Sequence, residues 1–396
     1  MKESKKRYLV LVVGTLALLF LGLIYAWSNF SKPLEAHFGW ARSQTSNVFT
    51  LSIVTFCLGG LTSGILSRRL SAAWILRISS LCMVAGFLLS SRVTALWQIY
   101  LSYGVLCGFG VGLTYNAVLS TVVKWFGDKA AFCSGVLLMG FGTGGLILGT
   151  AAASVIASFG WSTAFLAIGI AGFAVLLAAS FFIVPPEDAM SGAAKTAQAA
   201  GREMSPGQLL RSRNFWLLFI WGSVSSACGL SVINQGAPIA GSIGASAQLA
   251  ALAVGTISVF NGLGRVIIGI VYPMIKRRTS MLVICCGYLL ASAALLLAVN
   301  TGTLAFIFIG FAVVGLSYGS TPAFGVSIVR EFFGPKHYSV NMSLFNLHLI
   351  VSAILGSSVV GLLVSNYENY QIGLIAGLAL SALGLLLAPL AAKKPE

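Results

Sequence analysis

AALAVGTISVFNGLGRVIIGIVYPMIK, residues 250–276, is an almost unbroken apolar run that carries one charge its surroundings should forbid. About 25 apolar residues in helical form cross a bilayer core. Arg265 interrupts the run, and Asn261 stands four residues before it, on the same helical face. At ~1.5 Å per residue, Arg265 lies roughly 16 Å from the basic end at Lys276, near the middle of a ~30 Å hydrocarbon slab. An arginine there costs ~2.5–3.5 kcal/mol on insertion scales, and snorkelling does not span that depth. Such a side chain faces a polar cavity and meets an anion. The sequence puts no Asp or Glu inside any apolar span, so the expected anion is a substrate that arrives from solution.

The rest of the chain agrees with a membrane reading. It is 58% hydrophobic and 8% charged, with a mean hydropathy of +0.94. A soluble domain with that balance would have no polar face to hydrate. The net charge of +15 does not point to nucleic acid, because the basic residues fall in short clusters between apolar stretches. The seven cysteines all sit in apolar stretches without metal-ligand or secretory spacing and read as small buried hydrophobes. No nucleotide loop, metal-ligand set or nucleophile–base pair is present, so neither an enzyme nor a cofactor is expected.

The apolar pattern predicts an all-α membrane protein of twelve spans: 8–30, 46–67, 73–91, 95–123, 131–157, 162–184, 213–238, 247–272, 280–299, 302–328, 340–364 and 370–391. Of the 24 Lys and Arg residues, 20 fall on one side of this arrangement, three (Lys32, Arg42 and Arg92) on the other, and Arg265 between. That bias predicts cytoplasmic termini in the plasma (inner) membrane. Arg77 and Arg92 sit at span ends within reach of headgroups and receive no further role. The polar stretch 186–212 reads as a flexible cytoplasmic linker between an N-terminal six-helix bundle, 1–185, and a C-terminal one, 213–396.

The two halves echo each other. GFGVGLTYNAVLSTVVKWFGDK (108–129) and GFAVVGLSYGSTPAFGVSIVREFFGPK (310–336) share Gly-Phe, then Gly-Leu-[Thr/Ser]-Tyr, then an aromatic-Gly-x-Lys turn. GILSRR (64–69) is matched by GIVYPMIKRR (269–278). Duplicated six-span halves are the mark of a transporter that works by alternating access around a midplane site. The glycines of SGVLLMGFGTGGLILG (134–149) read first as close helix packing.

His348 is the second unusual residue, roughly 12 Å from the basic end of span eleven. It either hydrogen-bonds a neighbouring hydroxyl or carbonyl, or binds the anion and carries a proton. Asn261 either orients the Arg265 guanidinium or bonds a neighbouring helix. Tyr115 and Asn116 in span four and Tyr318 in span ten occupy matched places, where they close over a small ligand or fill the core. Tyr25, Asn234 and Gln235 complete the candidate substrate-binding set.

The segment GLIYAWSNFSKPLEAHFGWARSQTSNVFTLS (22–52), with its YAWSxFxxPLxxxFGW pattern, and TYNAVLSTVVKWFGDKAAFCSG (114–135) resemble the oxalate/formate antiporter family. That family is a branch of the major facilitator superfamily close to the monocarboxylate transporters. The resemblance covers essentially the whole chain. It implies the twelve-helix major facilitator fold and small carboxylate substrates, with Arg265 at the place of an arginine that pairs with the substrate carboxylate. Three departures stand out. Oxalate antiporters add a lysine in span eleven, where this chain has His348. Monocarboxylate transporters place an aspartate one turn before the arginine, where this chain has Asn261. The loop GILSRR lacks the usual aspartate of a gating salt bridge.

One permanent cation and one titratable group suit a monoanion better than a dianion. The expected activity is therefore proton-coupled transport of lactate, pyruvate, formate or acetate, with the proton on His348 or on the substrate. The alternatives are oxalate/formate-type anion exchange and export of anionic hydrophobic compounds. The expected partners are a small organic anion, a proton or counter-anion, and the lipid bilayer. Nucleic acid is not among them, and the chain is expected to act as a monomer.

Overall fold

A computed structural model describes residues 2–186, 203–360, 363–364 and 370–394. Among these, ten helical segments are long and apolar enough to cross a membrane. Two of them are of double length, Phe132–Phe182 and Leu252–Thr301. The first breaks at Gly160 (φ 82°, ψ 165°) and the second at Lys276 (φ 61°, ψ 165°), giving twelve spans. Both breaks fall in the gaps left by the hydropathy pattern.

By internal contact the chain forms two units, Met1–Ala199 with Tyr338–Asn346, and Ala200–His337 with Leu347–Glu396. In the first unit, span one (Lys5–Phe38) runs past the expected end at residue 30. Its helix tightens to 3₁₀ over Gly22–Ala26 and resumes over Trp27–Phe38, with Pro33 inside and left-handed Gly39 (φ 70°) closing it. The tightening lies where span five presses closest. A Cβ on Gly22 would sit 2.1 Å from the Phe141 carbonyl, and one on Gly144 would sit 1.9 Å from that of Leu19. The glycine series of span five is thus a seat for span one, as its spacing suggests. Span two (Gln44–Leu66) lies equally close to span four (Leu96–Phe126), with Gly112 against the Phe56 carbonyl.

The longer helices correct one expectation, that no acid lies within a span. Glu35 is in span one, where it accepts a hydrogen bond from Thr45 Oγ1–H. Glu331 is in span ten (Leu304–Phe333), where it accepts from Tyr272 O–H and pairs with Arg277 at 2.9 Å. Each carboxylate lies at a helix end and has local donors, so the helices outrun the apolar core without stranding a charge.

In the second unit, span eight lies on span ten through small residues. A Cβ on Gly319 would meet the Asn261 carbonyl at 2.0 Å, and one on Gly264 the Leu316 carbonyl at 2.3 Å. The part of span eleven (Tyr338–Gly356) beyond Asn346 packs Gly356 against the Ala227 carbonyl of span seven (Arg213–Ser242). Of the stretch expected to be a flexible linker, residues 187–202 lie outside the described part. Its final part is tied to the second unit. Met204 N–H donates to Phe333 O at 3.1 Å, Glu203 accepts from Lys336 N–H at 3.1 Å, and Ser205 caps a helical turn, Pro206–Arg211, that buries Leu209. The cysteine expectation holds for five residues, whereas Cys82 is half-buried and Cys286 exposed.

Candidate functional site

Arg265 is 1% exposed, among the largest fully buried side chains described. Its Nε donates to Asn261 Oδ1 at 3.0 Å, the contact that the four-residue spacing implies. The turn that carries both residues is held from behind by span ten. Gly315 and Gly319 press on its backbone, and Gly264 O accepts from Ser320 Oγ–H at 3.1 Å. Asn261 is itself 3% exposed. A buried guanidinium fixed at Nε presents its terminal N–H groups in one orientation, the geometry that suits a planar carboxylate.

His348 is also buried, in the same unit. Its Nε2 lies 3.3 Å from Ser226 Oγ of span seven, so the neighbouring hydroxyl anticipated from sequence exists. The imidazole lies against Gly222, where a Cβ would come within 3.0 Å of the ring, and edge-on to Phe219. Below it the backbone is pinned, since Ser352 Oγ–H donates to His348 O at 2.8 Å. Gly222 and Ser226, one turn apart on span seven, form the cradle that sets the ring's position. Sequence reasoning passed over both, because a glycine and a serine in an apolar helix carry no distinguishing signal.

Tyr318 is buried on span ten with its ring against Gly229 of span seven. Pro322 stands one turn ahead of it, and Pro238 stands one turn ahead of Asn234. A proline offers no N–H to the carbonyl four residues earlier, which loosens span seven at Asn234 and span ten at Tyr318. Asn234 and Gln235 are half-buried. Gln235 lines a small cavity with Ser231, Val360, Val364 and Tyr370, toward spans eleven and twelve.

In the first unit, Tyr25 and Tyr115 flank Phe141, with ring centroids 5.4 and 5.1 Å from it, and Phe56 closes the group 5.2 Å from Tyr115. Phe56 and Phe141 are partners that the sequence did not single out. Asn116 is differently engaged. Its Nδ2 donates to Gly60 O at 2.9 Å, Ser343 Oγ at 2.9 Å and Ser339 Oγ at 3.2 Å, which fastens the helix Tyr338–Asn346 to spans two and four.

Comparison with known proteins agrees with this architecture. The sequence pattern of the Major Facilitator Superfamily matches residues 11–348. An uncharacterized MFS-type transporter, YhjX of Escherichia coli, is 28% identical over 89% of this chain and 87% of its own length. The oxalate:formate antiporter of Oxalobacter formigenes is 26% identical over 91% of this chain and 85% of its own. Monocarboxylate transporter 12 of Rattus norvegicus is 30% identical over 36% of this chain and 29% of its own. Among solved structures, the proton:xylose symporter XylE superposes with a TM-score of 0.75 at 14% identity, over 98% of this chain and 95% of that one. At that identity the likeness concerns the fold alone.

Proposed function

This chain belongs to the Major Facilitator Superfamily, and from that premise we propose that it is a secondary active transporter of small monocarboxylate anions, with the substrate carboxylate held by Arg265. It is a multi-pass membrane transporter and not an enzyme. The observation that carries the substrate class is the burial of the Arg265 guanidinium within a spanning helix, held at Nε by Asn261. A fixed cation at that depth favours an anionic solute, since the attraction between unit charges grows as the dielectric falls. His348, held against Ser226 and Gly222, is the group through which a proton couples to the anion. Tyr318 contributes from the same unit. Asn116 is assigned to packing. The 20-to-3 distribution of basic residues favours cytoplasmic termini in the plasma membrane.

A second reading, exchange of oxalate against formate, is favoured by the near full-length similarity to the Oxalobacter formigenes antiporter. The monoanion reading stands ahead of it because a dianion would want two permanent cations, and the second position here is a histidine. Counterflow in proteoliposomes tests both. Radiolabelled lactate, formate and oxalate are offered with and without an inside-alkaline pH gradient, to the wild type and to Arg265→Ala. The expected result is gradient-driven accumulation of a monocarboxylate that Arg265→Ala abolishes. Gradient-independent oxalate–formate exchange would replace the first reading with the second. Carboxylate transport that survives Arg265→Ala would sink both.

A further inference from the structure

Near the start of span three (Ala72–Ser90) the side chain of Arg77 lies between two aromatic rings from different helices. Its guanidinium carbon is 4.9 Å from the centroid of the Trp74 ring and 5.1 Å from that of Phe181, at the end of span six. Nε donates to Ser180 Oγ at 3.3 Å. Both flanking rings face outward, Trp74 being 55% and Phe181 63% exposed. Ile78 and Leu81, further along span three, and Phe182 beside Phe181 are exposed as well. On a spanning helix of this hydropathy, outward apolar side chains face acyl chains, and exposed aromatic rings at a span end lie at headgroup level.

Two rings and one hydrogen bond hold the guanidinium in place. Its central carbon lies over both rings, Ser180 occupies Nε, and the terminal nitrogens find no acceptor among the described residues. Stacked between rings, an arginine loses its rotational freedom but keeps the fork that matches a phosphate. A second cation lies toward the same end of span six. Lys6 Nζ sits 5.7 Å from the ring of Trp125, whose Nε1–H donates to Val184 O at 2.8 Å. We propose that Arg77, Trp74, Phe181 and Ser180 form a headgroup site for an anionic phospholipid, its phosphate on the Arg77 fork and its acyl chains along Ile78 and Leu81. A lipid is preferred to a free phosphate because the site opens sideways onto apolar surface. An anionic lipid is preferred because the face that carries Arg77 holds 20 of the chain's 24 basic residues.

Native mass spectrometry of the full chain, titrated with phosphatidylglycerol or phosphatidylcholine, tests the site. The wild type is expected to hold one phosphatidylglycerol about tenfold more tightly than phosphatidylcholine, the scale of one charge-assisted contact. Arg77→Gln should lose that preference, Trp74→Leu should weaken it, and Arg92→Gln, at the opposite side's sparse cluster, should keep it. Millimolar inorganic phosphate should leave the bound lipid in place. Thermal unfolding of each variant in phosphatidylcholine verifies that it is folded. Equal phosphatidylglycerol binding by the wild type and a folded Arg77→Gln would assign the attraction to the general positive charge and overturn the site. Displacement by inorganic phosphate would overturn the lipid as its occupant.

Discussion

The side-chain amide of Asn116 donates to Ser343 Oγ at 2.9 Å, although 227 residues separate the two in the chain. Ser343 in turn donates to Gly60 O at 2.8 Å, and Gly60 O also accepts from Asn116. The resemblance to known transporters implies a charged gate near GILSRR. Beside that motif, this chain fastens the helix Tyr338–Asn346 with neutral amide and hydroxyl groups.

Asn116→Ala leaves buried acceptors without their donor, at a cost of about 1–3 kcal/mol. Thermal unfolding in detergent should show a lowered midpoint, and Ser343→Ala a smaller drop. The transport that remains should keep its KM. A raised KM with unchanged stability would instead make Asn116 a ligand.

Arg265→Lys preserves the charge but loses the planar fork and the Nε contact with Asn261. Losing a charge-assisted hydrogen bond worth about 1.5–3 kcal/mol should raise KM roughly tenfold to a hundredfold. Initial uptake rates in proteoliposomes measure this.

Asn261→Asp places a carboxylate on the guanidinium that the substrate needs. Anion uptake should fall at neutral pH and recover as acidification protonates the aspartate. A flat pH profile, compared with wild type, would count against competition for Arg265.

For His348 two substitutions separate position from chemistry. His348→Gln should abolish accumulation driven by a pH step while leaving counterflow. Gly222→Ala, whose Cβ would come 3.0 Å from the ring, should displace the imidazole and impair the same coupling with the histidine still present. Unchanged proton-driven accumulation in His348→Gln removes His348 from the mechanism.

Two neighbouring glycines should respond very differently to alanine. A Cβ at Gly144 would lie 1.9 Å from a backbone carbonyl of span one, which has nowhere to move. Overpacking there should cost about 1–3 kcal/mol or more. At Gly145 the nearest atom is Tyr25 Cβ at 3.3 Å, and the change should be tolerated. Thermal midpoints of the two variants give the comparison.

Hydropathy carries the twelve spans because a bilayer forces each one to be long and apolar, and the breaks at Gly160 and Lys276 fall where that pattern lapses. The Asn261–Arg265 contact was legible for a similar reason, since helical geometry alone puts residues four apart together. Contacts between distant segments were not. Ser226 lies 122 residues from His348, and nothing in its own neighbourhood marks it as that ring's partner. The continuation of span one to Phe38 escaped notice because Lys32, Pro33 and Glu35 resemble a loop in composition, whereas Thr45 gives Glu35 a local donor. The packing of Met204 and Leu209 was hidden likewise, because both gain their burial only against the second unit.

Lys276 occupies a backbone conformation that almost only glycine adopts without penalty, whereas at the break between spans five and six a glycine is in place. Holding an L-residue there costs on the order of 1–3 kcal/mol. The joint between spans eight and nine is therefore a loaded one, kept under tension by the helices it connects and by the Arg277–Glu331 pair beside it. A single exchange to glycine would relax that corner, as the glycine at position 160 already does between spans five and six.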